Sequence, residues 1–80
     1  MNDNIIKAIS ALKELQSDST LPKNITSKID NTIRFLESDG EVPIIVSKAI
    51  SEIEDLTENN NMESFTRTQL FNVVSILEII

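Results

Sequence analysis

The stretch IIKAISALKEL, Ile5 to Leu15, returns 41 residues later as VSKAISEIEDL, Val46 to Leu56, and Lys7-Ala8-Ile9-Ser10 reappears letter for letter as Lys48-Ala49-Ile50-Ser51. Its apolar residues fall three and four apart, at Ile5, Ile9 and Leu12 and again at Val46, Ile50 and Ile53. That spacing returns side chains to one face of an α-helix, whereas a strand would alternate every second residue. Both stretches are therefore expected to be amphipathic helices with one stripe to bury.

Working outward, the same ungapped offset lays residues 5–37 over residues 46–78. Ala8, Leu12 and Leu15 fall on Ala49, Ile53 and Leu56, and Leu21, Ile29, Ile33 and Leu36 fall on Met62, Leu70, Val74 and Leu77. Each copy reads as a helical hairpin, and the chain as two hairpins in tandem. Helices are expected at 4–16, 22–37, 43–57 and 62–79, with Pro22 and Pro43 in first turns, where proline loses no helical hydrogen bond. Links this short make neighbouring helices antiparallel.

Two such units either begin an open solenoid of the HEAT type or close face to face. An open stack of two leaves flanks uncovered, whereas closure buries all four stripes together. The expected fold class is all-α, a four-helix up-and-down bundle built from the two hairpins, with residues 1–80 as a single domain.

The links carry helix-boundary chemistry. In DSTLPKNITSKI, Asp18 to Ile29, the oxygens of Asp18, Ser19 and Thr20 are expected to cap the free amides that follow, and Leu21 to pin the chain's entry. The glycosylation-like triplet Asn24-Ile25-Thr26 matters only in an exported chain and is set aside. Asp39-Gly40 and Glu58 to Asn61, ENNN, are expected to break the helices, since Gly and Asn tolerate left-handed turns.

Composition excludes much chemistry. The chain has no Cys and no His, which removes thiol redox chemistry and the usual ligands of zinc, copper and iron. Its only glycine, Gly40, cannot build a Gly-rich phosphate loop. No apolar run is long enough to cross a bilayer, and MNDNIIKAIS does not read as an export signal, so a cytoplasmic setting is expected. Glu52 and Asp55 could share a hard cation such as magnesium in a hydrolase, but Glu54 turns away from them, and a solvated acidic face is the plainer reading. No nucleophile is set beside a base. A non-enzymatic protein without cofactor or metal is expected.

The net charge of −6 is unevenly placed. Residues 1–37 hold five acids and five bases, whereas residues 38–80 hold eight acids with only Lys48 and Arg67. Acidity of this kind argues against a phosphate backbone as partner. The alternative, a nucleic-acid-associated accessory protein, would have to use Lys7, Lys13, Lys23, Lys28 and Arg34 of the first hairpin.

The aromatic residues point elsewhere. At about 100° per residue, Met62, Phe65, Leu70, Val73, Val74, Ile76, Leu77 and Ile80 share a broad face of the last helix. Phe71 lies opposite, among Ser64, Arg67, Ser75 and Glu78. Phe35 is likewise off its stripe, Ile44 is off the third helix's stripe, and Ile6 is near an edge. Several such residues on a small domain without a staple suggest an association surface. Phe71, Phe35, Phe65, Ile76 and Ile80 are the candidate contacts of a homodimer, with another protein as a further partner. The alternative is that each Phe packs on a neighbouring hairpin within the monomer.

Three segments carry a family resemblance: Asp18-Ser19-Thr20-Leu21-Pro22-Lys23-Asn24-Ile25, Val42-Pro43-Ile44-Ile45-Val46, and Thr66-Arg67-Thr68 leading into Asn72-Val73-Val74-Ser75-x-Leu77-Glu78. In order and spacing they resemble a family of small archaeal proteins known as uncharacterised protein family 0147. The resemblance implies an archaeal cytoplasmic protein with four helices in up-and-down order, and it implies no activity and no site residues. Ser47 and Ile50 depart from the family pattern, which has a basic residue and an alanine-rich run there.

Overall fold

The computed structural model describes residues 2–80. Four helices form: α1 (Asp3–Gln16), α2 (Lys23–Glu37), α3 (Val42–Asn59) and α4 (Ser64–Glu78). α1 packs on α2 and α4, and α3 packs on α2 and α4, so the helices stand at the corners of a square with no diagonal pair in contact. The bundle measures 32 × 18 × 17 Å. This is the all-α bundle of two hairpins that the repeat predicts.

The offset of 41 survives into three dimensions. It maps Lys23–Glu37 onto Ser64–Glu78 residue for residue. Ile5 and Val46, Ala8 and Ala49, Leu12 and Ile53, Leu15 and Leu56, Ile29 and Leu70, Ile33 and Val74, and Leu36 and Leu77 are all buried in one core. Ile50, Leu21 and Met62 are partly buried against it. Each fully buried leucine or isoleucine stabilises the fold by about 1.5–3 kcal/mol relative to exposure. The buried hydroxyls of Thr32 and Thr57 donate to carbonyls of their own helices, Lys28 and Glu54, both at 2.9 Å. They enter the core without an unmet polar group.

The helix ends correct the sequence reading in several places, and α4 spans Ser64–Glu78 instead of 62–79. Asp18 does not cap α2: its Oδ1 accepts from the Thr20 amide at 2.9 Å and the Thr20 hydroxyl at 2.6 Å, closing a turn within the loop. α2 starts after Pro22 with no side-chain cap. Left-handed turns are not used either, because no described residue has positive φ. Gly40 instead lies close under Ile45, whose Cδ1 would be 3.4 Å from an added Cβ. Finally, α3 runs on to Asn59 instead of ending at residue 57. Its last carbonyls find side-chain donors: Asn60 Nδ2 bonds the Leu56 carbonyl at 3.1 Å, and Arg67 of α4 bonds the Thr57 carbonyl.

Candidate interaction surface

Large apolar side chains that remain exposed are concentrated in the second hairpin. Ile6 is the sole representative from α1, whereas Val42, Ile44, Phe65, Phe71, Ile79 and Ile80 all follow residue 41. The most exposed are Ile79 at 76%, Phe65 at 66% and Ile44 at 54%. Phe71, at 47%, projects from α4 where the helical spacing put it.

The five candidate contacts do not make one patch. Phe65 lies with Gln69 along the groove between α4 and α1, beside Ala11, Glu14 and Leu15. Ile76 is half-buried against the core. Ile80 lines the groove between α4 and α3, with Pro43, Val46 and Ile50. Phe71 shares its side of α4 with Arg67, which reaches α3. Phe35 is half-buried on the side of α2 that faces α3, with the Lys48 ammonium 5.9 Å from its ring centre. The α2/α3 side is opposite the α1/α4 side of the square, so one flat contact cannot cover Phe35 together with Phe65. Phe65 leaves the expected inward face because four helices in a square bury only about a third of each circumference, in keeping with the usual width of a core-facing stripe.

Charge sharpens the difference between helices. α2 carries Lys23, Lys28, Asp30, Arg34 and Glu37, and α3 carries Lys48, Glu52, Glu54, Asp55 and Glu58. α4 carries only Arg67 and Glu78. Arg67 is drawn to the end of α3, where it also approaches the Asn60 carbonyl at 3.5 Å. Asn60 in turn accepts from Asn24 Nδ2 at 2.9 Å, tying the starts of α2 and α4 to the end of α3. The outward side of α4, Phe65, Thr68, Asn72, Ser75 and Ile79, is exposed and uncharged. Depletion of charge is what distinguishes the centre of a protein interface from ordinary surface. Sequence reasoning found Phe65 and Phe71 but missed Ile79. The signal was present as a charge-free run from Thr68 to Leu77.

The basic residues of the first hairpin are mostly engaged with acids. Lys13 pairs with Glu37 at 3.6 Å, Lys28 with Asp55 at 3.9 Å and Arg34 with Asp30 at 3.0 Å. Gln16 donates to the same Asp30 at 3.0 Å. Lys13 thus points toward α2 and Lys28 toward α3, so the five bases form no single stripe. Asp55, one half of the candidate cation pair, accepts from Asn59 at 2.6 Å as well as facing Lys28. Among the described residues no three acidic side chains gather to hold a metal ion, and no helix is long and apolar enough to cross a membrane.

Comparison with known proteins agrees with this architecture. The family model described as "Uncharacterised protein family (UPF0147)" matches residues 1–80. A UPF0147 protein of Saccharolobus islandicus (strain L.S.2.15) is 34% identical over 77 residues, covering 95% of this chain and 86% of the relative. UPF0147 protein MJ1419 of Methanocaldococcus jannaschii is 33% identical over 78 residues, covering 95% and 84%. Among solved structures, the crystal structure of unknown function protein MMP1188 superposes with a TM-score of 0.90 at 35% identity, covering 98% of this chain and 90% of that one.

Proposed function

We propose that this chain, which belongs to the uncharacterised archaeal protein family UPF0147, is a non-enzymatic cytoplasmic protein-interaction module that self-associates as a homodimer through α4. One observation carries the reading. Two hairpins that match in their cores differ outside, and exposed apolar side chains gather on the second, around a helix face without charge.

The test is sedimentation over a wide concentration range, with wild type beside Phe71→Ser. Burial of one Phe contributes about 1.5–3 kcal/mol, so the substitution is expected to raise the dimer dissociation constant at least about tenfold while leaving helix content unchanged. A single concentration-independent monomer for the wild type would reject self-association. Binding to nucleic acid that falls steeply with added salt would instead favour the first hairpin's bases.

A further inference from the structure

Five exposed residues run along the outer side of α4 in steps of three and four: Phe65, Thr68, Asn72, Ser75 and Ile79. Leu70 and Leu77, on the opposite side of the same turns, are buried in the core. This is the spacing of a two-helix seam, and an Asn at one seam position is a device that fixes register. Read in either direction the strip has the same order: large apolar, hydroxyl, Asn, hydroxyl, large apolar.

We infer that α4 packs against α4 of a second copy, antiparallel, about a twofold axis beside Asn72. The inference rests on the self-association reading and adds its geometry. An isologous contact has to be self-complementary, and antiparallel pairing about Asn72 sets Phe65 of one copy against Ile79 of the other, twice. The flanks agree. Such an axis sets like shoulder against like shoulder, so Gln69 faces Ile76 of the second copy, while Arg67 stays at the end of α3. Phe71, one residue from the axis, meets its own counterpart. Antiparallel helices also oppose their macrodipoles favourably.

Charge selects a second copy as the occupant. A chain of net charge −6 repels itself wherever acids must meet. The outer strip of α4 carries no carboxylate of its own, so two copies meeting along it bury none in the strip itself. Contact along one corner of a square bundle is small, which puts the dimer in the weak, reversible class below about 1,200 Å².

Because the chain has no Cys, single-cysteine variants report the geometry directly. Asn72→Cys is expected to cross-link to itself with an oxidant or a short bifunctional thiol reagent. In Phe65→Cys the two thiols would be about 21 Å apart, beyond disulfide reach, so its yield should be at least about tenfold lower. A mixture of Phe65→Cys and Ile79→Cys should cross-link as a heterodimer. Equal self-cross-linking at 65 and 72 would show a parallel pair and overturn the inference. Dimers in sedimentation without cross-linking at 72 would overturn this axis and leave self-association standing, whereas monomers throughout would remove both. Circular dichroism of each variant confirms that the bundle is intact.

Discussion

α2 and α4 are the same helix twice, seen from inside, and two different helices seen from outside. Ile25, Ile29, Ile33 and Leu36 are buried, and so are Thr66, Leu70, Val74 and Leu77 at the matching positions. Outside, Asn24 matches Phe65, Asp30 matches Phe71, and Ser38 and Asp39 match Ile79 and Ile80. Each of these four polar residues has an exposed apolar counterpart in the second hairpin. The shared interior is what closing a bundle requires. The divergent exterior is not required by the fold, so it is where a function of the second hairpin is to be sought.

The comparison breaks most readily at the core. Leu12→Ala and Ile53→Ala remove equivalent, fully buried side chains, one from each hairpin. Each is expected to lower stability by about 2–5 kcal/mol, comparable with all the net stability of a domain this small. Urea unfolding followed by circular dichroism should give similar losses for both, with one cooperative transition. A loss confined to one variant, or a second transition, would show that the hairpins are not equivalent partners in a single core.

A smaller effect separates the hairpin junctions. Arg67 and Thr26 occupy matching positions, but Thr26 bonds only the Lys23 carbonyl of its own helix at 3.1 Å. Arg67 serves carbonyls at the end of another helix. Arg67→Gln is expected to cost about 1–2 kcal/mol, since charged donors to carbonyls are worth more than neutral ones, and to raise amide exchange in the last turn of α3. Thr26→Ala should cost a few tenths of a kcal/mol, the scale of an exposed local bond. Equal costs would mean that the Arg67 contact does not hold the second junction.

How much of this was legible in the sequence follows from which forces are periodic. The helices, their pairing and nearly all of the core followed from Ile5 to Leu15 and its copy, because burial repeats with the helical turn. Helix ends were less legible. The oxygens of Asp18 and Thr20 could serve the next helix or each other, and only the path of the loop decides between them. The overrun of α3 to Asn59 depends on Arg67, which is close in space and absent from any local pattern. Gly40 suggested a left-handed turn, yet its φ is not positive and an added Cβ would meet only Ile45, at about contact distance. The candidate surface was half legible: apolar residues off the stripe marked Phe71, whereas Ile79, inside the expected helix, stands out only once the core shows which side of α4 is buried.

The smallest effect distinguishes the loops that open the second helix of each hairpin. Asp18 is held below the ordinary carboxylate range, first by the Thr20 hydroxyl and then by the Thr20 amide. Its counterpart, Asn59, does not titrate. A depressed folded-state pKa means that the carboxylate's contribution is present above the unfolded value near 3.8 and is lost as pH falls through the lower, folded value. Acid sensitivity from this source therefore belongs to the first hairpin alone, below about pH 4. Side-chain carboxyl titration by NMR should give Asp18 a lower pKa in the folded chain than in a peptide spanning residues 14–24. Thr20→Ala should move it upward but not fully back, because the amide bond remains. An unshifted Asp18 would mean that the turn does not persist in solution, and would erase this contrast between the loops while leaving the shared core untouched.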